Sequence, residues 1–402
     1  MRAAVVSVTR FLAGLCACVA LAACAPRPAP TTTGAAGAAP SQAAVSERRV
    51  DVSQPLLIGV LAPLSGSDTR ATAFGADLVA AADMAAREKG VGLVRLSSFD
   101  TGANAATAAI AARSAIDAGA VALVGPAFAI AARSVANLVA ETGTTTLSFT
   151  PDSASGSVPL WVIGELPEDD ADRIVGYAAS TGVRSIAIVF PENLYGQVAS
   201  AALRDSARRH NVRVGYEFSY QYSPDGIAAA VESNAAAVRA SNVEAIVIPD
   251  GGLALISVVS FLDYYDVSPR KLQFMGMGLW NTPEVIRERS MRGGLFAAPD
   301  MAARRNFGER FAAVTGRQPD PRAYLGYDAV AALVDLVSEA RVAGSAEPFS
   351  IERMTRQRGF IGPGGTFRLK TDGTNVRPRA IYEVTGDGFA LRDPAPAGAP
   401  GS

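Results

Sequence analysis

The body of the chain alternates short apolar runs with longer alanine-rich segments whose apolar residues recur at helical spacing. The run LLIGVL at 56–61 is continuous and apolar, as in a strand that is buried on both faces. Residues 74–87, followed by Gly90, then predict a helix with a glycine past its end. The same alternation predicts strands at 93–97, 121–124 and 145–149 and helices at 105–117 and 129–141.

The alternation starts again after residue 167, and the repetition predicts a second sheet. Helices between successive strands imply right-handed crossovers, so both sheets are expected to be parallel. The C-terminal part differs, because strand-like segments at 365–369 and 380–384 flank Asp372-Gly373 and predict a hairpin. The predicted elements of the second half are helices at 171–181, 198–211, 234–241 and 253–263 and strands at 185–190, 212–218, 245–248 and 272–275.

These patterns predict an α/β protein of two lobes, each a parallel sheet flanked by helices, joined by crossing hinge segments. Ligands of such sheets bind beyond the carboxyl ends of the strands, so the cleft between the lobes is the expected site. The predicted first lobe comprises 55–166 and 293–345, the second lobe 167–292 and 346–392, and a disordered tail 393–402.

The first residues have the pattern of a secretory signal peptide. Arg2 and Arg10 precede a small or apolar run at 11–23, which is too short to span a bilayer. The motif Leu-Ala-Ala-Cys ending at Cys24 resembles the bacterial lipobox, which implies a signal peptide at 1–23 and lipidation of Cys24. The alternative is an ordinary signal peptide with an incidental cysteine.

The segment that follows Cys24 predicts a tether. Residues 24–54 are rich in Pro, Ala and Thr, cannot bury enough apolar surface to fold, and are expected to be flexible. We therefore expect a periplasmic protein held to a membrane by an N-terminal lipid. The residues from 26 onward lack the Asp that retains some lipoproteins in the inner membrane, which favours the outer membrane.

Composition excludes several classes of function. The 402-residue chain has three cysteines, and cleavage before Cys24 leaves one, so the mature fold has no disulfide. His210 is the only histidine, which excludes a zinc site of several His and Cys ligands. A net charge of −1 gives no electrostatic case for nucleic acid. Asp100 lies in an Asp-Thr-Gly triplet, but aspartic-protease chemistry needs two such carboxylates and the chain has one. The sequence therefore predicts neither an enzyme nor a cofactor.

Several segments carry a family resemblance. The stretch IGVLAPLSG at 58–66, Gly125-Pro126, Tyr195-Gly196, Tyr327-Asp328 and GPGGT at 362–366 are similar to landmarks of type I periplasmic binding proteins of the leucine/isoleucine/valine group. The resemblance covers about residues 55–390. It implies the two-lobed fold already predicted and a role in binding rather than catalysis.

The same resemblance implies a set of residues that bind the charged groups of an amino acid. This chain departs from that set at three places. A hydroxyl is expected soon after Gly125, where residues 125–130 have none, and another where Asp152 stands. An acid for the ammonium group is expected in the loop at 276–281, which contains none. The sequence therefore predicts no useful affinity for leucine, isoleucine or valine, and Asp152 favours a cationic or amide-bearing ligand.

Two functional interpretations stay open, and the sequence favours the first of them. The segments 147–152, 190–196 and 278–281 resemble penicillin-binding-protein activators, which implies a regulatory lipoprotein with a cell-wall synthase as partner. The alternative is a solute-binding receptor of an amino-acid or amide-type ABC transporter, with a permease as partner and a small polar ligand. A receptor needs room and convergent polar groups in its cleft, whereas a scaffold fills the gap with side chains.

The candidate cleft residues share one feature, since each follows a predicted strand at its carboxyl end. They are Ser65, Gly66, Ser67, Phe128, Ser148, Thr150, Asp152, Tyr195, Asp250 and Trp280.

Overall fold

The computed structural model describes residues 48–396. The predicted signal peptide, Cys24, the tether up to residue 47 and the tail from residue 397 lie outside these described residues. In chain order, the elements up to residue 298 are β1 Leu56–Ala62, α1 Thr69–Lys89, β2 Val94–Asp100, α2 Ala105–Asp117, β3 Ala122–Val124, α3 Ala129–Thr142, β4 Thr145–Ser148, β5 Leu160–Val162, α4 Pro167–Ser180, β6 Ser185–Pro191, α5 Leu194–Arg209, β7 Arg213–Tyr220, α6 Pro224–Ala240, β8 Ala245–Ile248, α7 Gly252–Tyr264, β9 Gln273–Gly276, α8 Pro283–Arg287 and β10 Leu295–Ala298. The remainder are α9 Met301–Thr315, α10 Tyr324–Ala343, α11 Ile351–Met354, β11 Phe360–Gly362, β12 Gly365–Leu369, β13 Asn375–Val376, β14 Ala380–Val384 and β15 Phe389–Asp393.

The first lobe is built on a five-stranded parallel sheet in the order β2-β1-β3-β4-β5. Every residue of β1 is buried, as its apolar run predicts for a central strand. Helix α1 begins at Asp68, whose side chain accepts hydrogen bonds from the backbone N–H groups of Arg70 and Ala71. Helix α10 is buried along most of its length and packs with α1 against this sheet.

The second lobe contains a seven-stranded sheet in the order β15-β14-β10-β9-β8-β6-β7. Strands β6 to β10 are parallel, and β14 and β15 add an antiparallel edge. The predicted architecture of two helix-flanked parallel sheets is confirmed. No helix among residues 48–396 has both the length and the apolar character needed to cross a bilayer.

Three segments cross between the lobes. The first runs from β5 to α4, the second from β10 to α9, and the third from β13 to β14. The first two leave from the carboxyl ends of parallel strands, and the third enters β14 at Ala380, opposite the last residue of β10, Ala298. All three therefore join the lobes at the carboxyl edges of the sheets, where the cleft lies.

The predicted lobe boundaries are wrong for two segments. Residues 293–298 contain β10, which pairs with β9 and β14 and so belongs to the second lobe rather than the first. Within 346–376, Phe360 and Phe367 are buried in the first lobe's core, although this segment was assigned to the second. The predicted hairpin is also wrong, because β12 pairs with β11 and β13 whereas β14 pairs with β10 and β15.

The last residues of the predicted tether are part of the folded body. The Val50 N–H donates to the Ala346 carbonyl, and Arg341 Nε donates to the carbonyl of Val52. Arg48 Nη1 donates to the carbonyl of Ala120, which precedes β3. These contacts fix residues 48–54 at the amino edge of the first sheet. At the other end, Arg173 binds the Asp393 carboxylate, so the predicted disordered tail begins later than residue 393.

Candidate functional site

Each sheet has a point at which the strand order reverses, and the loops there form a crevice. In the first lobe the reversal lies between β1 and β3, so the crevice is lined by loops 63–68 and 125–128. In the second lobe it lies between β6 and β8, and the loops are 191–193 and 249–251. Because the crossing segments join the carboxyl edges of both sheets, the two crevices form the walls of one interlobe cleft.

The wall in the first lobe consists of an exposed loop and a helix terminus. Ser65, Gly66 and Ser67 are exposed, and Asp100 fixes the start of their loop by accepting hydrogen bonds from the N–H groups of Leu64 and Ser65. Asp100 is thus a loop anchor. Phe128 is half-buried and precedes α3, whose first N–H groups receive no hydrogen bond from a capping side chain. Uncapped N–H groups at a helix N-terminus attract an anion or a carbonyl oxygen.

The wall in the second lobe carries an acid. Asp250 lies two residues after the end of β8 and is buried. Its Oδ2 accepts a hydrogen bond from the Tyr220 hydroxyl and its Oδ1 accepts one from the N–H of Gly251. Burial raises the pKa of Asp250, although both hydrogen bonds oppose that shift. Burial, together with the nearby Asp170 and Asp250 carboxylates, raises the pKa of Tyr195, so its hydroxyl stays protonated and can donate.

An apolar rim surrounds these polar groups. Six large apolar residues remain exposed in loops or first helical turns at the carboxyl ends of the two sheets, with exposed fractions from 39% for Leu64 to 76% for Leu253. Among the described residues, no hydrogen bond or ion pair joins residues 63–68 and 125–128 of the first lobe to residues 191–195 and 249–253 of the second. The apolar rim consists of Leu64, Ile130, Leu194, Tyr222, Leu253 and Leu279.

Three predicted residues at the end of β4 and in the loop that follows it have their polar groups engaged within the first lobe. The Ser148 and Thr150 side chains are buried, and Ser148 Oγ donates to the carbonyl of Pro126 at 2.9 Å. Asp152 Oδ2 lies 3.4 Å from Arg133 Nη1 and accepts a hydrogen bond from Ser155 Oγ at 2.6 Å. The Asp152 carboxylate is therefore already paired, which removes the basis for its predicted contact with a cationic ligand.

Trp280 is a core residue, although the sequence placed it in the cleft. Its side chain is fully buried, and its Nε1 donates to the carbonyl of Ile248 at 3.0 Å. The indole fills space left by two glycines, since a Cβ atom would lie 2.0 Å from the ring at Gly276 and 2.8 Å from it at Gly294. The turn after β9 thus closes the second core, and only Leu279 of this turn reaches the rim.

A network of charged side chains that the sequence analysis missed joins the three crossing segments. On the third crossing, Arg377 Nη1 donates to Asp328 Oδ2 of α10 at 2.8 Å, with both side chains fully buried. Arg379 Nε donates to Asp170 Oδ1 of α4 at 2.6 Å. The third crossing thus binds one carboxylate in each lobe, Asp328 in the first and Asp170 in the second.

The first and second crossings meet in the same network. Glu165, on the first crossing, accepts hydrogen bonds from Arg304 of α9 and from the Tyr324 hydroxyl. Burial alone raises the pKa of Glu165, but Arg304 and Arg379 outweigh it and lower the pKa to about 2. Asp169 Oδ2 accepts the Arg377 backbone N–H at 2.9 Å. No group of three His, Cys, Asp or Glu side chains suited to a metal ion occurs within residues 48–396.

A separate groove of about 540 Å³ lies on the first lobe between α1 and the loop before α10. Phe74 and Phe128 line it. Two of its arginines are paired, Arg317 with Asp77 and Arg322 with Asp320. Because Phe128 lines this groove and also lies in loop 125–128, the groove is continuous with the first lobe's wall of the cleft.

Comparison with solved structures supports the fold. A branched-chain amino acid ABC transporter periplasmic ligand-binding protein from Burkholderia xenovorans is 19% identical, with a TM-score of 0.64 over 84% of this chain and 94% of that chain. A leucine-binding protein from Thermotoga maritima is 18% identical, with a TM-score of 0.57 over 84% and 97%. A substrate-binding protein of an ABC transporter from Desulfitobacterium hafniense, in complex with leucine, is 16% identical, with a TM-score of 0.62 over 84% and 100%. No curated protein sequence matches significantly.

The sequence pattern of one family covers most of the chain. It is the pattern of the periplasmic binding proteins and it matches residues 55–389, which include both sheets and all three crossing segments. The chain therefore belongs to the periplasmic binding protein family.

Proposed function

We propose that this protein is a periplasmic receptor that binds a small amino-acid-like or amide solute and delivers it to an ABC permease. One observation carries the proposal: a fixed carboxylate, Asp250, and an uncapped helix terminus, that of α3, lie at the two crevices of a single cleft. A scaffold that fills its cleft with side chains has no need of either group. The likeness to solute-binding proteins of ABC transporters supports the same role.

The two walls fit a ligand with a donor at one end and an acceptor at the other. Asp250 is suited to an ammonium or amide N–H, because a buried carboxylate gains a charge-assisted hydrogen bond from either. The N-terminus of α3 is suited to a carboxylate or carbonyl oxygen. The apolar rim would surround a hydrophobic side chain between these ends.

This proposal replaces two of the grounds on which the sequence predicted no affinity for branched-chain amino acids. The acid sought in the loop after β9 has a counterpart after β8, at Asp250. The opposing charge attributed to Asp152 is neutralised by Arg133. The two missing hydroxyls, one in residues 125–130 and one at the position of Asp152, are the grounds that stay, and backbone N–H groups of α3 would have to replace the first.

The receptor, which the sequence analysis gave as the alternative, is better supported than the regulatory lipoprotein that it favoured. The segment 278–281 supplied part of the resemblance to penicillin-binding-protein activators, and its Trp280 packs into the second core rather than onto a surface. The neighbouring solved structures are described as transporter proteins, which supports a permease rather than a cell-wall synthase as the partner.

Asp250→Asn is expected to weaken ligand binding by about 10- to 150-fold, because a hydrogen bond to a charged group contributes roughly 1.5–3 kcal/mol. The measurement is titration calorimetry of the full-length protein against the twenty amino acids and their amides. Asp205→Asn, an exposed aspartate on α5, is the matched control and should bind as the unsubstituted protein does.

Two outcomes separate the parts of this proposal. If no amino acid or amide binds the unsubstituted protein, the receptor function proposed here is wrong. If a ligand binds equally well after Asp250→Asn, the receptor function stands and the role of Asp250 is wrong. Micromolar binding of leucine, isoleucine or valine would contradict the prediction made from the sequence.

We further propose that Cys24 carries a lipid that holds the protein to a membrane. The Leu-Ala-Ala-Cys motif supports this modification. Cys24→Ser should release the protein into the soluble envelope fraction, measured by fractionation after a high-salt wash. If the variant stays with the membranes, the protein is held there by something other than this lipid.

A further inference from the structure

The crossing segments and adjoining helices bring together more acidic than basic groups. With every group ionised, four carboxylates face three guanidinium groups, which leaves one negative charge in excess in a mostly buried network. An unpaired charge in such surroundings is unfavourable, and a carboxyl group there takes up a proton instead. The carboxyl groups are those of Glu165, Asp169, Asp170 and Asp328, and the guanidinium groups are those of Arg304, Arg377 and Arg379.

Hydrogen bonding distinguishes Asp169 from the other three acids. Glu165, Asp170 and Asp328 each accept a hydrogen bond from an arginine side chain. Asp169 instead accepts the backbone N–H of Arg377, and its nearest guanidinium nitrogen, Arg379 Nη2, is 4.0 Å away. Within the described part of the chain, neither Nη atom of Arg379 has a hydrogen-bond partner. Asp169 is thus the carboxyl group with the weakest compensation for a negative charge.

Charged groups on α4 and on the third crossing surround the Asp169 carboxyl group. Asp170 on α4 and Arg377 and Arg379 on the third crossing act on it directly. On the same helix, Glu168 accepts a hydrogen bond from Ser153, and Arg173 is paired with Asp393. The groups that reach it through the network are Glu165, Arg304, Tyr324, Asp328, Tyr195 and Asp250.

We propose that Asp169 holds a proton that locks the hinge, and that loss of this proton near neutral pH loosens the three crossing segments. An ionised Asp169 adds a second negative charge beside Asp170. That charge is better stabilised when more water reaches the Asp169 side chain, which is 11% exposed, or when Arg379 Nη2 approaches from its distance of 4.0 Å, and either change shifts the third crossing against α4. The network therefore makes the hinge sensitive to the acidity of its compartment.

The titration range of Asp169 agrees with this proposal. Burial raises its pKa from 3.8 to about 7, although Arg379 opposes the shift. Burial also raises the pKa values of Asp170 and Asp328, again against an arginine. Because the pKa of Asp169 is higher in the folded than in the unfolded state, its stabilising effect is complete below about pH 4 and is lost as the pH rises through about 7.

A consequence for ligand affinity rests on the proposed function. Closure of the lobes around a solute excludes water from the hinge, which favours the protonated form of Asp169. Ligand binding is then expected to take up a proton, and affinity should fall as the pH rises above about 7.

The test uses the full-length protein without any ligand. Infrared spectroscopy is expected to show a protonated carboxyl band that disappears between about pH 6 and pH 8. Hydrogen–deuterium exchange, corrected for intrinsic pH dependence, should show falling protection of residues 165–170 and 376–380 over the same range. If the pKa of Asp169 is one unit lower in the loosened state, the loosened population rises by up to about tenfold as the pH increases over this range.

The variants separate this mechanism from a general effect of pH. Asp169→Asn mimics the protonated acid and should abolish both the infrared band and the change in protection. Asp205→Asn, an exposed substitution on α5, should keep the behaviour of the unsubstituted protein. Absence of any carboxyl titration near neutral pH in the unsubstituted protein, which requires no variant to fold, would overturn the proposal. So would an unchanged profile in Asp169→Asn.

Discussion

Arg377→Met is expected to lower the free energy of unfolding by about 3–5 kcal/mol, because it leaves a buried carboxylate without its partner. The Arg377 side chain is 1% exposed and that of its partner Asp328 is 0% exposed. The substitution also removes the hydrogen bond from Arg377 Nε to the Ile163 carbonyl on the first crossing. Urea denaturation of the full-length protein measures the change.

Two further variants test whether the loss arises from the unpaired charge. Arg377→Met combined with Asp328→Leu removes both charges and should recover a large part of the lost stability, because apolar replacements of a buried pair are often close to neutral. Arg208→Met, which breaks an exposed pair with Asp205, should change stability by at most about 1 kcal/mol. Equal losses for Arg377→Met and Arg208→Met would show that the buried pair is not a special contributor.

Trp280→Ala is expected to cost about 3–5 kcal/mol of stability, the range for truncating a large aromatic side chain in a core. The indole is fully buried against Gly276 and Gly294, and its loss leaves the carbonyl of Ile248 without the Nε1 donor. Thermal and urea unfolding measure the effect.

The neighbouring residue provides the control for this substitution. Leu279→Ala changes a rim residue that is 43% exposed in the same turn, and its stability should change by at most about 1 kcal/mol. If Trp280→Ala leaves stability intact and weakens ligand binding, the indole is a cleft residue, as the sequence suggested, and its assignment to the core is wrong.

The parallel sheets could be predicted because their signal is local. A buried parallel strand needs a continuous apolar run, and the runs at β1, β6 and β8 have no competing explanation. The pairing of the C-terminal strands could not be predicted, because its signal is not local. β12 and β14 are both short and alternating, and the glycine turn between them predicts a hairpin, but β14 is held by β10. No local pattern specifies that partner.

The candidate site was predictable at the level of loops but not of individual side chains. Ser65, Phe128, Tyr195 and Asp250 lie in loops or first turns at the two strand-order reversals, where position after a strand is enough to place them. Trp280 follows a strand equally closely and is buried. The signal that could have identified it is the pair of glycines, Gly276 and Gly294, which leave space for the ring.

The hinge network carried no signal in the sequence. Asp169 and Asp170 occupy the first turn of α4, where acidic residues are common because they complement the helix dipole. Arg377 and Arg379 lie more than 200 positions later along the chain, in a segment without regular structure. Only the return of the chain across the hinge brings these groups together, so their pairing is a property of the topology.

The attachment of residues 48–54 determines where an anchored chain would pull on the body. These residues leave the fold at the amino edge of the first sheet, whereas the cleft opens at the carboxyl edge. From Cys24 to Glu47 the chain has 24 residues, which span at most about 80 Å. If Cys24 carries the proposed lipid, these 24 residues set the greatest distance between the membrane and the amino edge of the first sheet. Shortening the segment would then reduce the reach of the cleft without changing any residue that lines it.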